Sequence, residues 1–302
     1  MTRLDSVPPP GLVLLGIVSL QLGAGFAKNL FEELPPSSVV TLRLATSAIV
    51  LVVVSRKLLA GARHWSGKDW AVAAGFGLTL ATMNVSIYES FARIPLGIAV
   101  TIEFLGPLGV AVAYSRRRLD MVWVLLAASG VVLLTRGGSG TVTAAGVAFA
   151  LLSAVAWAAY ILLSMATGRR LRGSSGLAVA STVGTLLVLP LGVASGGADL
   201  LRPDLLALGA GIGLLSSVIP YTLELEALRR MSAKLFGILM SLEPAVAAMV
   251  GVVVVGEILR AWEWVAIGCV VVACVGATRT RAVATQGAPE VLGRSASRDR
   301  ET

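Results

Sequence analysis

Charge is scarce in this chain, and residues that carry chemistry are scarcer. Asp, Glu, Lys and Arg make up 14% of the 302 residues, against about 25% in soluble domains. One histidine, His64, and two cysteines, Cys269 and Cys274, are all it offers toward a site of nitrogen and sulfur ligands, too few for a zinc-type set. His64 falls in a polar stretch with Arg63 and Lys68 and reads as a solvated loop residue. The two cysteines share one apolar run. Five positions apart on a helix they point about 140° away from each other, which excludes a disulfide between them. There is no HExxH, GxSxG or Walker motif. The glycines of RGGSGTVT (136–143) precede no lysine in P-loop spacing and follow no strand, so they read as a linker. No metal, no cofactor and no enzymatic activity are expected.

What the chain has in abundance is hydrophobicity, 56% of residues with a mean hydropathy of +0.85. A spanning helix needs about 20 mostly apolar residues. On that ruler ten spans are predicted, at 11–30, 36–55, 70–91, 95–115, 120–136, 143–166, 175–195, 203–228, 232–255 and 260–279. The fold class is an all-α polytopic membrane protein. Residues 1–10 read as a short cytoplasmic segment. Arg3 is offset by Asp5, and three prolines precede an apolar run that continues past Gly25, so the first span reads as a retained helix rather than a signal peptide. The net charge of +8 is spread over short loops, where topology needs it, and no nucleic-acid partner is expected. With the N-terminus cytoplasmic, 19 of the 25 Lys and Arg lie on the cytoplasmic side. Five lie opposite (Lys28, Arg93, Arg136, Arg202 and Arg260), and Arg43 alone is inside a span. Residues 281–302 are polar and mixed in charge, and a disordered cytoplasmic tail is expected there.

The chain also echoes itself. NVSIYESFARIPLGIAVTIEFLGPLGVAVAY (84–114) returns 137 positions later within SVIPYTLELEALRRMSAKLFGILMSLEPAVAAMVGVVVVGE (217–257). Glu89 then falls on Glu226, Arg93 on Arg230, Gly106 on Glu243 and Pro107 on Pro244. Five spans per repeat is an odd number, so two such repeats, 11–136 and 143–280, must be inverted relative to each other. Inverted repeats are a recurrent design of secondary transporters, with the binding site near the midplane between the halves.

Polar residues inside the spans are the candidate site, because ionisable groups in hydrocarbon are costly and tend to be paired, protonated or functional. Gln21, Gly25 and Lys28 share one helical face. Lys28 and Arg43 are read either as snorkelling to the interface or as ligands for an anionic group. Asn84 and Tyr88 share a face; Glu89 and Arg93, and likewise Glu226 and Arg230, are spaced for structural i,i+4 ion pairs. Glu224 lies about 200° from Glu226 and on the side of Tyr221. Glu103 precedes Pro107 by four residues, and Glu243 is followed by Pro244. Each proline frees a backbone carbonyl near a carboxyl group, an arrangement suited to an ammonium or a proton relay, or to a plain kink. Trp157 and Tyr160 share a face, as packing or as ligand contacts. The spacings Gly192/Gly196 and Gly209/Gly213 permit close helix approach.

PLGIAVTIEFLGPLGVAV (95–112) and IPYTLELEALRRMSAKLFGILMSLEPAVAAMVG (219–251) closely resemble the bacterial threonine/homoserine exporter family, in the EamA-type branch of the drug/metabolite transporter superfamily. SLQLGAGFAKNLF (19–31), VTLRLA (40–45) and WAAYIL (157–162) extend the resemblance over residues 11 to 280. It implies ten helices in two inverted five-helix repeats and proton-coupled efflux of small amino acids across the bacterial inner membrane. It also implies a cavity lined by helices 1, 3, 4, 6, 8 and 9. The expected partners are a small zwitterionic solute, protons and membrane lipid. The alternatives are efflux of amphipathic drugs or other metabolites and, more remotely, a membrane scaffold.

Overall fold

The computed structural model describes residues 7–113, 118–136, 142–171 and 175–286. Among them every regular element is helical. The ten helices are α1 (Pro9–Asn29), α2 (Pro36–Leu59), α3 (Gly67–Phe91), α4 (Leu96–Glu103 then Leu105–Ala113), α5 (Arg118–Arg136), α6 (Ala144–Arg170), α7 (Ser175–Gly196), α8 (Pro203–Gly213, a π turn Leu214–Val218, then Ile219–Arg230), α9 (Ala233–Met240, Glu243–Val250, then a π turn Gly251–Val255) and α10 (Ala261–Gln286). Nine are long and apolar enough to cross a membrane, and Met121–Leu134 of α5 forms a shorter apolar helix. The predicted spans therefore each meet a helix.

The starts obey local chemistry. Proline opens α1, α2 and α8, where its missing N–H costs nothing. Ser66 and Asp69 form a capping box on α3, and Thr143 and Ser232 cap α6 and α9 through the backbone N–H of Gly146 and Leu235. The end of α10 corrects one expectation. Helix continues to Gln286, into residues assigned to a disordered tail; the rest of that tail, 287–302, lies outside the described residues, as do 137–141 of the linker, Arg3, Arg116, Arg117 and Arg172.

Helix pairing follows the 137-residue echo, which maps each of the first five helices onto the one five places later. The pair α3–α6 is matched by α8–α1, α3–α7 by α8–α2, and α4–α6 by α9–α1, while α2–α7, α4–α9 and α5–α10 map onto themselves. Small residues let these helices touch. A Cβ on Gly97 of α4 would sit 2.5 Å from Ala248 of α9, and Gly192 of α7 lies against Thr41 and Ser37 of α2. Hydroxyls then bridge the two helices: Ser38 donates to the Gly192 carbonyl at 2.9 Å, and the Ser37 and Ser195 hydroxyls are 2.7 Å apart. Outward the surface is aliphatic, with Leu15, Ile49, Val53, Val54, Leu125 and Val155 exposed, as a surface facing lipid requires.

Candidate functional site

Three helices are irregular, and their irregularities converge. In α4 the helix breaks at Phe104, directly after Glu103; Pro107 has no N–H to give the Glu103 carbonyl. In α9 the break lies between Met240 and Glu243, and Glu243 and Pro244 open the next segment. In α8 a π turn at Leu214–Val218 precedes Pro220. Glu103, Met240, Glu243, Ser216 and Pro220 all line one cavity of about 210 Å³. At about 30 Å³ per water, that holds roughly seven waters or one small solute.

The cavity also takes Leu20, Gln21 and Ala24 from α1 and Arg43 from α2. Met83, Asn84, Ile87, Tyr88 and Phe91 come from α3, Val100 from α4, Trp157 and Tyr160 from α6, and Tyr221 and Glu224 from α8. Every candidate binding residue named from the sequence lines it except Lys28. The expected lining set of helices is widened by α2, through Arg43. Tyr221 is exposed and Glu224 half-buried, so the cavity reaches the molecular surface beside α8.

Arg43 is the one cation among the lining residues. Its Nη1 donates to Asn84 Oδ1 at 2.7 Å and to the Tyr88 hydroxyl at 3.4 Å, and its Nη2 donates to the Ser216 carbonyl at 3.3 Å. The guanidinium lies 5.4 Å from the centre of the Tyr88 ring. Its Nε is buried and has no acceptor. Three carboxyl groups share the cavity with it. Glu103 faces the Ser153 hydroxyl at 2.5 Å. Glu243 Oε1 accepts from Gln21 Nε2 at 3.0 Å. Glu224 packs against Gly16 of α1. Glu103 and Glu224 are both electrostatic neighbours of Glu243. The aromatic wall is tied back into the bundle, Trp157 edge-on to Phe104 at 5.0 Å and Tyr160 against Phe76 at 4.9 Å.

Lys28 stands elsewhere. Its ammonium pairs with Glu257 at 2.7 Å and donates to the Ile94 carbonyl at 2.8 Å. Glu257 in turn accepts from the Leu96 N–H at 2.9 and 3.0 Å. The cluster ties the end of α1 to the start of α4 and to the segment after α9. The role assigned to Lys28 as a solute ligand thus has no geometric support; a cation near a helix end found a carboxylate instead. Arg93 pairs with Glu89 and lies 4.9 Å from the Phe149 ring. Glu226 pairs with Arg229 at 3.6 Å, and Arg230 donates to the Val7 carbonyl at 3.1 Å.

Sequence reasoning missed Ser153, Ser216 and Glu257. Ser153, Trp157 and Tyr160 are spaced i, i+4, i+7, the stripe that singled out Gln21 and Lys28, so Ser153 was within reach. Ser216 enters through a carbonyl, and Glu257 lies beyond the ninth helix, where no periodicity marks it.

A family model described as the EamA-like transporter family matches residues 144–279. Among curated proteins, the chain is 36% identical over 275 residues to the threonine/homoserine exporter RhtA of Escherichia coli (strain K12), covering 90% of this chain and 92% of that protein. It is 38% identical over 283 residues to RhtA of Salmonella typhimurium (strain SL1344), covering 92% and 94%. It is 24% identical over 274 residues to the uncharacterized inner membrane transporter YedA of Escherichia coli (strain K12), covering 81% and 82%. One solved crystal structure, described only as that of a protein, superposes with a TM-score of 0.57 at 17% identity, over 90% of this chain and 98% of the other. At that identity the likeness speaks to the fold alone.

Proposed function

Because the chain belongs to the threonine/homoserine exporter family, in the EamA-type branch of the drug/metabolite transporters, we propose that it is an inner-membrane secondary transporter exporting small zwitterionic amino acids of the threonine and homoserine kind. The observation that carries this reading is the joint presence of Arg43 and three carboxyl groups in one small cavity at the helix breaks. A zwitterion needs a cationic partner for its carboxylate and an anionic one for its ammonium. Arg43 serves the first, and its unpaired Nε leaves a donor free. The glutamates serve the second, with Gln21, Asn84, Tyr88 and Tyr221 as neutral hydrogen-bonding groups. Efflux is by alternating access of two inverted five-helix repeats, 11–136 and 143–280, supported by the pairing of helices under the 137-residue echo. Both termini are cytoplasmic, supported by the distribution of Lys and Arg between the loops.

The coupling ion is the proton. Three carboxyl groups share the cavity with a single guanidinium, an excess of acid that a low-dielectric site relieves by binding protons or cationic groups. Substitution of the carrying glutamate by Gln uncouples transport from the pH gradient. Unchanged pH dependence in Glu103→Gln, Glu224→Gln and Glu243→Gln alike would sink this part of the mechanism.

A second reading, efflux of amphipathic drugs, draws on the apolar wall of Met83, Ile87, Phe91, Trp157 and Tyr160. Liposomes containing the purified protein, loaded with labelled threonine, homoserine or a drug-like cation, separate the two. Saturable, gradient-dependent efflux of the amino acids and not of the cation is expected. Efflux of the cation alone would transfer the chain to the second reading.

A further inference from the structure

Gln21 and Glu243 carry an unfinished hydrogen-bond count. Both are buried, 3% and 4% exposed. The Gln21 amide nitrogen donates to Glu243 Oε1 at 3.0 Å. That leaves Gln21 Oε1 and Glu243 Oε2 as buried acceptors with no donor. Buried polar atoms are nearly always satisfied, and a specific exception asks for an explanation. Both residues line the cavity, so what completes the count can arrive from it.

Glu103 has a different shortage. The Ser153 hydroxyl stands 2.5 Å from Glu103 Oε1 and 3.1 Å from the Met83 carbonyl. A serine has one hydrogen and cannot donate to both. A proton held on Glu103 and shared with Ser153 Oγ closes that set, releasing the serine hydrogen for Met83. Glu103 needs one proton; the Gln21–Glu243 pair presents two open acceptors, completed either by one proton on Glu243 Oε2 shared with Gln21 Oε1 or by two N–H donors from the cavity.

We propose that Gln21 and Glu243 form the seat for the solute's ammonium group, and that this seat selects nitrogen carrying at least two hydrogens. The inference rests on the amino-acid transport reading and assigns a subsite within it. Two N–H groups of a primary ammonium satisfy Gln21 Oε1 and Glu243 Oε2, and the charge settles on the Glu243 carboxylate. An N-methylated amino acid keeps two N–H groups and is accepted. An N,N-dimethylated one keeps a single N–H, leaves one acceptor unmade, and is bound less well by about tenfold, equivalent to about 1.4 kcal/mol.

The test is competition against labelled threonine in proteoliposomes by threonine, N-methylthreonine and N,N-dimethylthreonine, with wild-type protein and with Glu243→Gln. Wild type shows a step between the mono- and dimethylated compounds. In Glu243→Gln, which keeps the bulk, the two amides complete each other's hydrogen bonds and leave no open acceptor, so the step collapses. Equal competition by all three compounds in wild type would overturn the assignment, and so would a step that persists in Glu243→Gln, since bulk alone would then explain it. Glu243→Gln distinguishes a proton seat: unchanged threonine affinity with lost gradient dependence would also overturn the ammonium assignment. If folded wild-type protein moves no threonine, the transport reading fails and takes this subsite with it; if it moves threonine without the step, the subsite alone fails.

Discussion

Breaking the Lys28–Glu257 pair measures what holds one end of the bundle together. The two side chains are 17% and 10% exposed, so the pair is largely out of water. Removing one partner from a buried pair costs about 3–5 kcal/mol. Two features lower that here. Lys28→Met leaves Glu257 bonded to the Leu96 N–H, and the first turn of α4 offers its own favourable field, worth roughly 0.3–1 kcal/mol. The expected loss is therefore about 2 kcal/mol for Lys28→Met. Glu257→Ala also strips the Leu96 N–H of its acceptor and should lose about 3 kcal/mol. The double variant should lose less than the sum, because the second substitution removes a charge already stranded. Reversible denaturation in mixed micelles, run as a double-mutant cycle, gives the coupling. Losses that add within about 0.5 kcal/mol would mean the two residues act independently and would refute the ion pair as a tie between α1 and the segment after α9.

Gly97→Leu should destabilise by about 1–3 kcal/mol or prevent assembly, because even a Cβ there meets the backbone of Ala248; a wild-type melting midpoint would contradict the α4–α9 contact. Arg43→Gln should weaken threonine affinity by roughly tenfold or more, the worth of a charge-assisted hydrogen bond, while leaving any uptake of a drug-like cation unreduced. Arg43→Lys should not restore it, since one ammonium cannot hold Asn84, Tyr88 and Ser216 and still offer a donor. Ser153→Ala leaves the Glu103 carboxyl without its hydroxyl partner and should slow transport several-fold, for about 1 kcal/mol; full wild-type rates would remove Ser153 from the site.

The architecture was legible because hydrocarbon leaves a chain few options. With every backbone group to be satisfied internally, a run of 20 apolar residues is a helix, and ten such runs were visible. The cavity was legible for a related reason. Glu103, Glu224 and Glu243 stand out against an apolar background, and prolines marked where α4, α8 and α9 break. What the sequence conceals is partnership across helices. Lys28 shares a face with Gln21, yet its charge is answered by Glu257 of a helix end 229 positions away. Spacing along one helix fixes a direction, not the neighbour met in that direction. The sequence leaves Arg43 between snorkelling and binding; only the packing of α3 beside α2 places Asn84 and Tyr88 within its reach. The pairing of Glu226 with Arg229 depends on rotamers that periodicity does not set.

On the proposed mechanism, Arg43 and the cavity carboxyls together hold one zwitterion. Equilibrium binding of labelled threonine to the purified protein, in wild type, Arg43→Gln and Glu243→Gln, tests it most directly. The prediction is saturable binding by wild type that falls by roughly tenfold or more in each variant, displaced by homoserine and not by a drug-like cation. Equal threonine affinity in all three proteins, each shown to be folded, would contradict it.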